Sequence, residues 1–576
     1  MNDTSAHSTK PEIHFRDMWR LLSGYWRSSD KKLGWLLLLL LPALEGVTVY
    51  QALLMNRQNG AIFDAIGAYD LSGFWRQTAI LAVVMVTWVA VQTLVEWTLQ
   101  ILQMRWRAWM TAHFTERWLA RKTYYRMDRS EVIDNPDQRL SDDMRVVTEQ
   151  GLKYALQFYG HLGTIIVFSA VLWNLSSPVS FSVFGWPITI PGFILWAFLL
   201  FCLASTGLVE WLGRPLLRAR YRQHAREGDF RFSLVRVREN VEPIALYAGE
   251  EAEQKRLDGA FSAVKNNWRH VVLHTRNVNF ATHMGNQAAQ FIPKILGVGG
   301  YFAGTLTLGG FTRVIQTCNQ LRIALLWFIQ MYPELADVRA ALARLCEMDR
   351  LLDAAEAPHD IKVADSQDDV LRTFDLVLES PRGRALSRPS SIDISPGSKC
   401  VIVGPSGCGK STFLLALAGL WRHGRGRIEM PVGQRSMFIP QRPYVPIGTF
   451  KDALCYPGTA EEFSNEECIE VLKACCLEQY TDRLEETAHW SKRLSPGEQQ
   501  RLAFGRVLLQ KPDLLFLDES TSALDPHNEK EMYARVKERL PGCTVVSVAH
   551  RESVKEMHQR VLDFTPAATN EVLVPV

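Results

Sequence analysis

The pattern of apolar and polar residues changes near the middle of the chain. Long apolar segments dominate the first half, and short apolar runs between polar stretches dominate the second. A helix needs about 20 apolar residues to cross a bilayer. Four segments of that length are clear, at residues 33–54, 78–102, 155–173 and 186–209, and two weaker ones lie at 278–301 and 308–332. The pattern therefore predicts six membrane-spanning helices.

The distribution of positive charge tests this prediction independently. Basic residues cluster before the first span and after the second, fourth and sixth, among them Arg20, Arg105, Arg214 and Arg339. Residues 174–185 and 303–308, on the other side, contain no Lys or Arg. Because cytosolic loops carry the excess of Lys and Arg, both chain ends are expected in the cytosol. The first thirty residues do not resemble a removable signal peptide, so we expect the spans to direct insertion.

Polar side chains recur at helical spacing inside three of the predicted spans. They are Gln92, Glu96, Gln100 and Gln103 in the second, His283, Asn286, Gln290 and Lys294 in the fifth, and Arg313, Gln316, Thr317 and Gln320 in the sixth. Polar groups at membrane depth are costly and face an interior or a partner. Two interpretations stay open: a hydrophilic translocation pathway, or helix packing and extensions outside the hydrocarbon.

The second half has the pattern of a soluble α/β domain. Short apolar runs at 373–378, 399–403, 514–517 and 544–548 predict strands, and the last two are typical of a buried parallel sheet. Helices are expected at 411–418 and around 451–493. The predicted organisation is a cytosolic segment at 1–32, a six-helix membrane domain at 33–346, an acidic linker at 347–371 and an α/β P-loop domain at 372–576.

A glycine-rich motif joins the second predicted strand to the helix that follows it. The motif consists of Gly404, Pro405, Ser406, Gly407, Cys408, Gly409, Lys410, Ser411 and Thr412. Its backbone N–H groups can wrap a polyphosphate, its Lys can reach the β- and γ-phosphates, and its Ser hydroxyl can coordinate Mg²⁺. Five further pieces follow in order: Gln441, the run 494–500, the pair Asp518 and Glu519, Asp525, and His550.

The complete set, in this order, resembles the nucleotide-binding domain of an ABC transporter. The resemblance implies ATP and Mg²⁺ as ligands, with Ser411, Gln441 and Asp518 around the metal. Glu519 is expected to act as general base toward the attacking water, and His550 to contact the γ-phosphate.

The same resemblance implies a dimer. Ser495 and Gly497 belong to the signature loop, which in this family binds the ATP held by the opposite subunit, and Asp525 belongs to the loop that links the two sites. One chain supplies one P-loop and one signature loop, so a second copy of the chain is the simplest partner. A heterodimer stays open.

Three further segments narrow the family. Residues 135–143 (NPDQRLSDD), 239–250 (ENVEPIALYAGE) and 442–449 (RPYVPIGT) resemble motifs of the SbmA/BacA-like ABC transporters, above all the YddA-like members, and of the related subfamily D. The resemblance covers nearly the whole chain and implies an exporter-type fold. The resemblance favours a role for residues 135–143 in transmission at the ATPase interface, although a local ion pair between Asp137 and Arg139 is an alternative.

Two departures from the commonest family pattern stand out. Pro496 and Glu498 occupy signature positions where Gly and Gln are commonest. Residues 379–389, which include the position expected to stack on adenine, contain no aromatic residue. Base selectivity is therefore open.

Charge and cysteine content limit the alternatives. A net charge of +3 over 576 residues provides no electrostatic case for nucleic-acid binding. The ten cysteines lack zinc-site spacing, and most lie in the ATPase half, where free thiols are expected. Cys408 is either an oxidation-sensitive thiol or a small residue that fills the loop.

Together these features predict a homodimeric half-transporter of a bacterial inner membrane. It would use ATP to move a hydrophilic or amphipathic solute, such as a peptide, a cobalamin-like compound or an acyl compound. A lipid flippase and an ATP-gated channel or regulator remain as alternatives, and the direction of transport is open.

Overall fold

The computed structural model describes residues 15–128, 136–176, 178–183, 186–355, 361–366, 368–381, 383–405 and 407–564. Backbone contacts divide them into two compact units. The first, called here the membrane unit, comprises the described residues of 15–120 and 136–353. The second, the ATPase unit, comprises 121–128 and the described residues from 354 onward. Ser406, Asn135 and residues 1–14 of the expected N-terminal segment lie outside the described residues.

Eleven α-helices and one β-hairpin precede the ATPase fold in the described chain. The helices are α1 (Phe15–Ser23), α2 (Lys31–Gly67), α3 (Leu71–Leu119), α4 (Thr123–Asp128), α5 (Pro136–Gln138), α6 (Leu152–Leu175), α7 (Phe193–Glu239), α8 (Val241–Leu246), α9 (Glu250–Phe302), α10 (Leu308–Gln330) and α11 (Tyr332–Ala355). The hairpin pairs β1 (Val179–Val183) with β2 (Trp186–Ile190). Between α5 and α6 the chain forms π-helical turns at Arg139–Asp143 and Val146–Gly151.

Four of the six predicted spans coincide with helical segments that could cross a membrane. In the described chain, four helical segments are long and apolar enough to cross a membrane: Lys31–Gly67, Leu71–Leu119, Pro136–Leu175 and Phe193–Glu239. The two weaker segments lie within α9 and at α10, which are helical but more polar. α2 packs against α3, α6 and α10, while α7 lies along α9. Several helices continue far beyond the apolar stretch, among them α7 with 47 residues and α9 with 53.

Ion pairs fasten the polar end of α11 to its neighbours in the membrane unit. Arg139 is buried and binds the Glu347 carboxylate at 3.0 Å, rather than Asp137 as the local alternative predicted. Asp143, also buried, accepts two hydrogen bonds from the Arg344 guanidinium at 2.7 and 2.5 Å. The 135–143 motif therefore has a definite structural role, which is to hold α11.

The ATPase unit combines two sheets and a helical subdomain. Its strands are β3 (Lys362–Ser366), β4 (Leu371–Leu378), β5 (Ser390–Ile394), β6 (Lys399–Val403), β7 (Gly424–Pro431), β8 (Ser436–Ile439), β9 (Gly448–Thr449), β10 (Thr487–Ala488), β11 (Leu514–Asp518), β12 (Thr544–Val548) and β13 (Arg560–Asp563). Its remaining helices are α12 (Lys410–Leu417), α13 (Phe450–Cys455), α14 (Asn465–Ala474), α15 (Trp490–Arg493), α16 (Pro496–Gln510), α17 (Pro526–Arg539) and α18 (Glu552–Glu556).

The sheet that positions the site is parallel, with strand order β13-β6-β12-β11-β8. Its central strands are apolar on both faces because helices cover both sides of such a sheet. Phe438 and Phe516 stack across adjacent strands with ring centroids 4.3 Å apart. The second sheet has the order β3-β7-β4-β5.

The expected linker at 347–371 is shorter in the structure. Helix α11 continues to Ala355, and β3 and the start of β4 already belong to the second sheet. The cause is an apolar spacing that the acidic composition obscures: Leu345, Met348 and Leu352 are buried on one side of α11. A second difference concerns α4, which the sequence assigned to the membrane domain but which clusters with the ATPase unit.

Candidate functional site

The glycine-rich motif forms the turn between β6 and α12. Gly404 has φ +154°, and a Cβ at this position would lie 2.5 Å from the Phe564 carbonyl oxygen, so only glycine fits. Gly409 has φ +98° and immediately precedes α12. The turn therefore brings backbone N–H groups to the N-terminus of a helix, where anions are stabilised. Thr412 follows in the first turn of α12.

Lys410 is buried, and its ammonium group donates to the carbonyl oxygens of Gly404 and Pro405, both at 2.9 Å. These contacts fold the Lys410 side chain back over the loop residues that precede it in the chain. Cys408 is also buried and packs in the apolar core of the ATPase unit. Its placement supports the role of a small residue that fills the loop.

Ser411 and Asp518 lie together at the carboxyl end of the sheet. The Ser411 hydroxyl donates to Asp518 at 2.9 Å. Burial raises the pKa of the Asp518 carboxyl. Both residues present oxygen atoms, which are the ligands that Mg²⁺ prefers. The described residues contain no cluster of three or more His, Cys, Asp or Glu side chains that could hold a metal by themselves.

Two side chains contact the Glu519 carboxylate, and each belongs to a residue that follows a different strand of the sheet. The Gln441 amide donates to one carboxylate oxygen at 3.1 Å, and His550 Nε2 lies 3.1 Å from the other. Glu519 itself has φ +46°, in the left-handed region, directly after β11. Backbone strain at a non-glycine residue is typical of functional sites. The structure thus brings together Ser411, Gln441, Asp518, Glu519 and His550.

The signature loop begins helix α16, and the two unusual residues there have a structural reason. Ser495 is the N-cap and Pro496 occupies the first helical position, where its missing N–H costs nothing. The Glu498 carboxylate accepts from the Ser495 backbone N–H and hydroxyl, both at 2.8 Å, completing a capping box. Tyr480 and Gln479 donate to its other oxygen at 3.0 Å.

Gly497 lies close to the loop that contains Asp525. A Cβ on Gly497 would approach the Ala523 carbonyl oxygen to 3.2 Å. The Asp525 carboxylate caps α17, accepting from the backbone N–H groups of His527 and Asn528 at 3.0 Å. Hydrogen bonds from the Asn528 backbone and side chain lower the pKa of Asp525. In one chain, Asp525 therefore has a capping role beside the inter-site role expected from the resemblance.

Sequence analysis missed Gln500, which connects three functional loops. Its side chain is buried and donates to the Gln441 carbonyl at 3.0 Å and to the Ser522 hydroxyl at 3.2 Å. Its amide oxygen accepts from the Ala523 N–H at 2.9 Å. Gln500 follows the signature residues on α16, but nothing in its local pattern distinguishes it from Gln499, which is only partly buried. Only the long-range contacts identify it.

The polar stripes of the predicted spans separate into two groups. Gln92, Gln316 and Gln320 line a cavity of the membrane unit. The others pack or face outward: Thr317 and Arg313 bind Asn56 of α2, Asn286 binds Arg322, Gln103 binds a backbone carbonyl, and Glu96, Gln100, His283, Gln290 and Lys294 are exposed on the single chain. Three residues of the stripes thus line a cavity, which is where a hydrophilic pathway would be expected, and others make contacts between helices.

The fold and the nucleotide site define a P-loop ATPase joined to a helical membrane unit, and comparison with known proteins supplies the family. A model described as "ABC transporter transmembrane region 2" matches residues 21–298, and one described as "ABC transporter" matches residues 387–522. An uncharacterized ABC transporter ATP-binding protein of Haemophilus influenzae is 32% identical, over 93% of this chain and 90% of the relative.

Two other relatives match over a similar length. The inner membrane ABC transporter ATP-binding protein YddA of Escherichia coli is 26% identical, over 95% of this chain and 96% of the relative. The human lysosomal cobalamin transporter ABCD4 is 27% identical, over 95% and 94%. The chain belongs to the ABC transporter family. It is an ATP-binding transmembrane transporter whose ATP hydrolysis is coupled to transport, and the resemblance to YddA-like and subfamily D proteins is confirmed.

Proposed function

We propose that the protein is a homodimeric half-transporter that moves a hydrophilic or amphipathic solute across a bacterial inner membrane. A peptide, a cobalamin-like compound and an acyl compound are the solute classes to consider. The observation that carries the proposal is the complete hydrolytic site around Glu519, which Gln441 and His550 hold from two sides. A protein that only responded to ATP would not need to orient a general base.

Each residue of this site has a separate role in phosphoryl transfer. Glu519 accepts the proton of the attacking water, and His550 and Gln441 fix the position of its carboxylate. Lys410 and the P-loop amides bind the phosphate oxygens. Ser411, Asp518 and the Gln441 amide oxygen would hold Mg²⁺, which when bound neutralises phosphate charge. The Gln441 amide nitrogen binds Glu519, which leaves the amide oxygen for the metal.

Dimerisation follows from the count of functional loops. Each chain has one P-loop and one signature loop, and the family mode of ATP binding uses one of each from different subunits. The capping box holds Ser495 at the N-terminus of α16, where the helix dipole favours phosphate. Helix α8, within the 239–250 motif, supports an intersubunit contact because Leu246 and Tyr247 are 78% and 86% exposed. Large apolar side chains so exposed indicate a docking surface.

Helix α4 supports a route by which hydrolysis reaches the membrane. It follows α3 in the chain, yet it clusters with the ATPase unit, where the Lys122 ammonium donates to the Ala418 carbonyl at 3.0 Å. Ala418 ends the helix that begins at the P-loop. Movement of that helix on nucleotide binding would therefore displace α4 and the end of α3. ATP would favour one state of the dimer and hydrolysis the other.

We place six spans in the membrane, with α9 and α10 as the fifth and sixth and both termini in the cytosol. The support is the alternation of basic and uncharged loops. The inner-membrane location rests on the similarity to YddA. A lipid flippase is less well supported, because amide side chains line the cavity of the membrane unit, and a lipid chain would leave them unpaired.

ATP-driven uptake by reconstituted vesicles tests the proposal. The full chain, with ATP on the ATPase side, should accumulate or release a labelled peptide, cobalamin or acyl-CoA. The Glu519→Gln variant should bind ATP but transport nothing. Solute movement that is the same without ATP would instead support a channel, and vigorous hydrolysis with lipid translocation alone would support a flippase.

A further inference from the structure

Glu529 is a buried carboxylate of the ATPase unit that the proposed mechanism does not use. It lies in the first turn of α17 and is 1% exposed. The Thr521 hydroxyl donates to its Oε1 and the Ser553 hydroxyl to its Oε2, both at 2.7 Å. The Arg551 guanidinium lies 3.6 Å from Oε1. A buried charge is costly unless donors and an opposite charge compensate it, and both oxygens of Glu529 are compensated in this way.

One partner of Glu529 lies in the loop 519–525, which leads from β11 to α17 and begins at Glu519. Thr521 is buried in this loop, and its hydroxyl binds the Glu529 carboxylate. Asp525, at the other end of the loop, caps the helix that carries Glu529. The carboxylate therefore fixes the middle of the loop from within the protein, which limits how far the loop can carry Glu519 from its position.

The other two partners of Glu529 follow His550, the residue expected to contact the γ-phosphate. Arg551 is the next residue in the chain and the N-cap of α18, and Ser553 lies in the first turn of that helix. Glu529 contacts both of them, one at each carboxylate oxygen. The position of the chain just after His550 therefore depends on the same carboxylate that holds the loop 519–525.

Arg551 adds a direct connection between the two segments. Its guanidinium donates to the Leu524 carbonyl at 2.8 Å and to the Ser522 carbonyl at 3.0 Å. Both carbonyls belong to the loop 519–525. Because a guanidinium has five N–H donors in a fixed plane, it can serve these carbonyls and face the Glu529 carboxylate at the same time.

A cavity of about 100 Å³ lies beside this network. Glu519 and His550 line it, and so do Thr521 and Glu529. The 3.1 Å contact between His550 Nε2 and the Glu519 carboxylate therefore borders open space. Side chains in a close-packed interior are fixed by their neighbours, but side chains beside a cavity lack neighbours on one side. Polar contacts have to supply the missing constraint.

We propose that Glu529 is a positioning residue for ATP hydrolysis, which holds Glu519 and His550 at the separation that the reaction requires. This inference rests on the proposed function, in which Glu519 is the general base. A misplacement of about 1 Å can cost about 100-fold in rate. Binding of ATP through Lys410 and the P-loop amides does not depend on this separation. The effect of Glu529 should therefore appear in kcat and not in the affinity for ATP.

Glu529→Gln in the full-length protein tests the role, because the amide keeps the size of the carboxylate but loses the charge that faces Arg551. The measurements are steady-state phosphate release, the Kd of a fluorescent ATP analogue and inhibition by orthovanadate, which with ADP resembles the transition state. We expect kcat to fall at least about tenfold while the ATP Kd stays within about twofold. Orthovanadate should inhibit at least about tenfold less tightly.

The comparison of the two affinities separates positioning from stability. A residue that only stabilised the fold would lower the melting temperature and leave the ratio of ATP affinity to vanadate affinity unchanged. Glu531→Gln is the matched control. Glu531 lies two positions further along α17 and accepts a hydrogen bond from Arg535 at 3.2 Å, but it is not among the lining residues of the cavity. This variant should keep kcat within about twofold of the wild type.

Ser553→Ala covers the case in which Glu529→Gln impairs folding. It removes only the hydrogen bond to Oε2 and should lower kcat by about threefold, with an unchanged ATP Kd. Wild-type kcat in both Glu529→Gln and Ser553→Ala, or in Ser553→Ala alone where Glu529→Gln does not fold, would overturn the proposal. Equal losses of ATP affinity and vanadate affinity in Glu529→Gln, or an equal loss of kcat in Glu531→Gln, would also overturn it.

Glu519→Gln, measured in parallel, separates this inference from the proposed function. Hydrolysis that is lost in Glu519→Gln but unchanged in Glu529→Gln contradicts only the role of Glu529. A wild-type protein that does not hydrolyse ATP contradicts the proposed function, and this inference with it.

Discussion

The Gln441 amide donates a 3.1 Å hydrogen bond to the Glu519 carboxylate, although the two residues are 78 positions apart in the chain. In the proposed mechanism Gln441 would serve both centres of the site: its nitrogen orients the proposed general base, and its oxygen is available to a metal. Gln441 follows β8 and Glu519 follows β11, which are adjacent parallel strands. The contact is a consequence of strand order, because carboxyl ends of parallel strands meet at one edge of the sheet.

We predict that Glu519→Gln lowers kcat for ATP hydrolysis by at least about 100-fold while ATP binding is retained. The amide cannot accept the proton of the attacking water, but it keeps the size of the carboxylate. Steady-state phosphate release and nucleotide binding are the measurements. Glu556→Gln, at an exposed position on α18, is the matched control and should have wild-type kcat. Hydrolysis at the wild-type rate in Glu519→Gln would remove Glu519 from the mechanism.

Gln500 provides a second prediction, because it has no role visible in the sequence. Gln500→Leu would remove the hydrogen bonds to the Ala523 N–H and the Gln441 carbonyl, which are partly buried. We expect a loss of about 1–2 kcal/mol in stability, because a hydrogen bond contributes about 0.5–1.5 kcal/mol net, and a lower kcat, since both loops border the catalytic site. Melting temperature and kcat should fall together. Gln559→Ala, on the surface of the same unit, should change neither, and an unchanged kcat in Gln500→Leu would confine Gln500 to a packing role.

The nucleotide site could be predicted from sequence because its residues are carried on strand ends and turns with strong local patterns. The order of motifs pointed to Lys410, Gln441, Glu519 and His550, and in the structure Gln441 and His550 each lie 3.1 Å from a different oxygen of the Glu519 carboxylate. Gln500 could not be found this way, since a buried glutamine and an exposed one have the same local neighbours. Its burial depends on which loops fold over α16.

In the membrane unit, too, local patterns could be predicted from the sequence, whereas long-range contacts could not. Hydropathy predicted the apolar helices, but it could not assign each polar side chain to a neighbour. The cavity lined by Gln92, Gln316 and Gln320 is formed by side chains from different helices, and contacts between helices are tertiary. The acidic composition of 347–355 similarly concealed the buried stripe that continues α11.

A third prediction concerns the capping box of the signature helix. Burial alone would raise the pKa of Glu498, but hydrogen bonds from Ser495, Tyr480 and Gln479 bring it below its ordinary value. A carboxyl with a lowered pKa in the folded state stabilises the fold above its unfolded-state pKa, which is about 4.3. That stabilisation is lost as pH falls through the lower folded-state value.

Glu498→Ala should therefore lower the melting temperature at neutral pH, by the equivalent of about 1 kcal/mol for loss of a cap. The difference from wild type should shrink as the pH falls below about 4. Glu466→Ala, in the first turn of α14 but outside its capping pair, is the control. A gap between wild type and Glu498→Ala that is constant with pH would show that the charge of Glu498 does not contribute.

The last prediction concerns the ion pair between Asp143 and Arg344, which fastens the 135–143 motif to α11. Asp143 is 3% exposed and accepts both hydrogen bonds of the Arg344 guanidinium. Asp143→Ala removes both of these hydrogen bonds, while the Arg344 side chain, which is 44% exposed, stays in contact with water. The loss of stability should therefore be that of charge-assisted hydrogen bonds, about 1.5–3 kcal/mol. Asp142→Ala is the matched control: it is the preceding, exposed residue, and it has only a 3.5 Å contact with Arg145.

Exchange of the two charges distinguishes an ion pair from simple packing. Asp143→Arg alone should be strongly destabilising, since it places two guanidinium groups together. Adding Arg344→Asp restores opposite charges across the same contact and should recover part of the lost melting temperature. Because α11 leads toward the ATPase unit, the single variants should also lose solute-stimulated ATP hydrolysis more than basal hydrolysis. If the double variant is no more stable than Asp143→Arg alone, Asp143 contributes to stability through its shape and not through its charge.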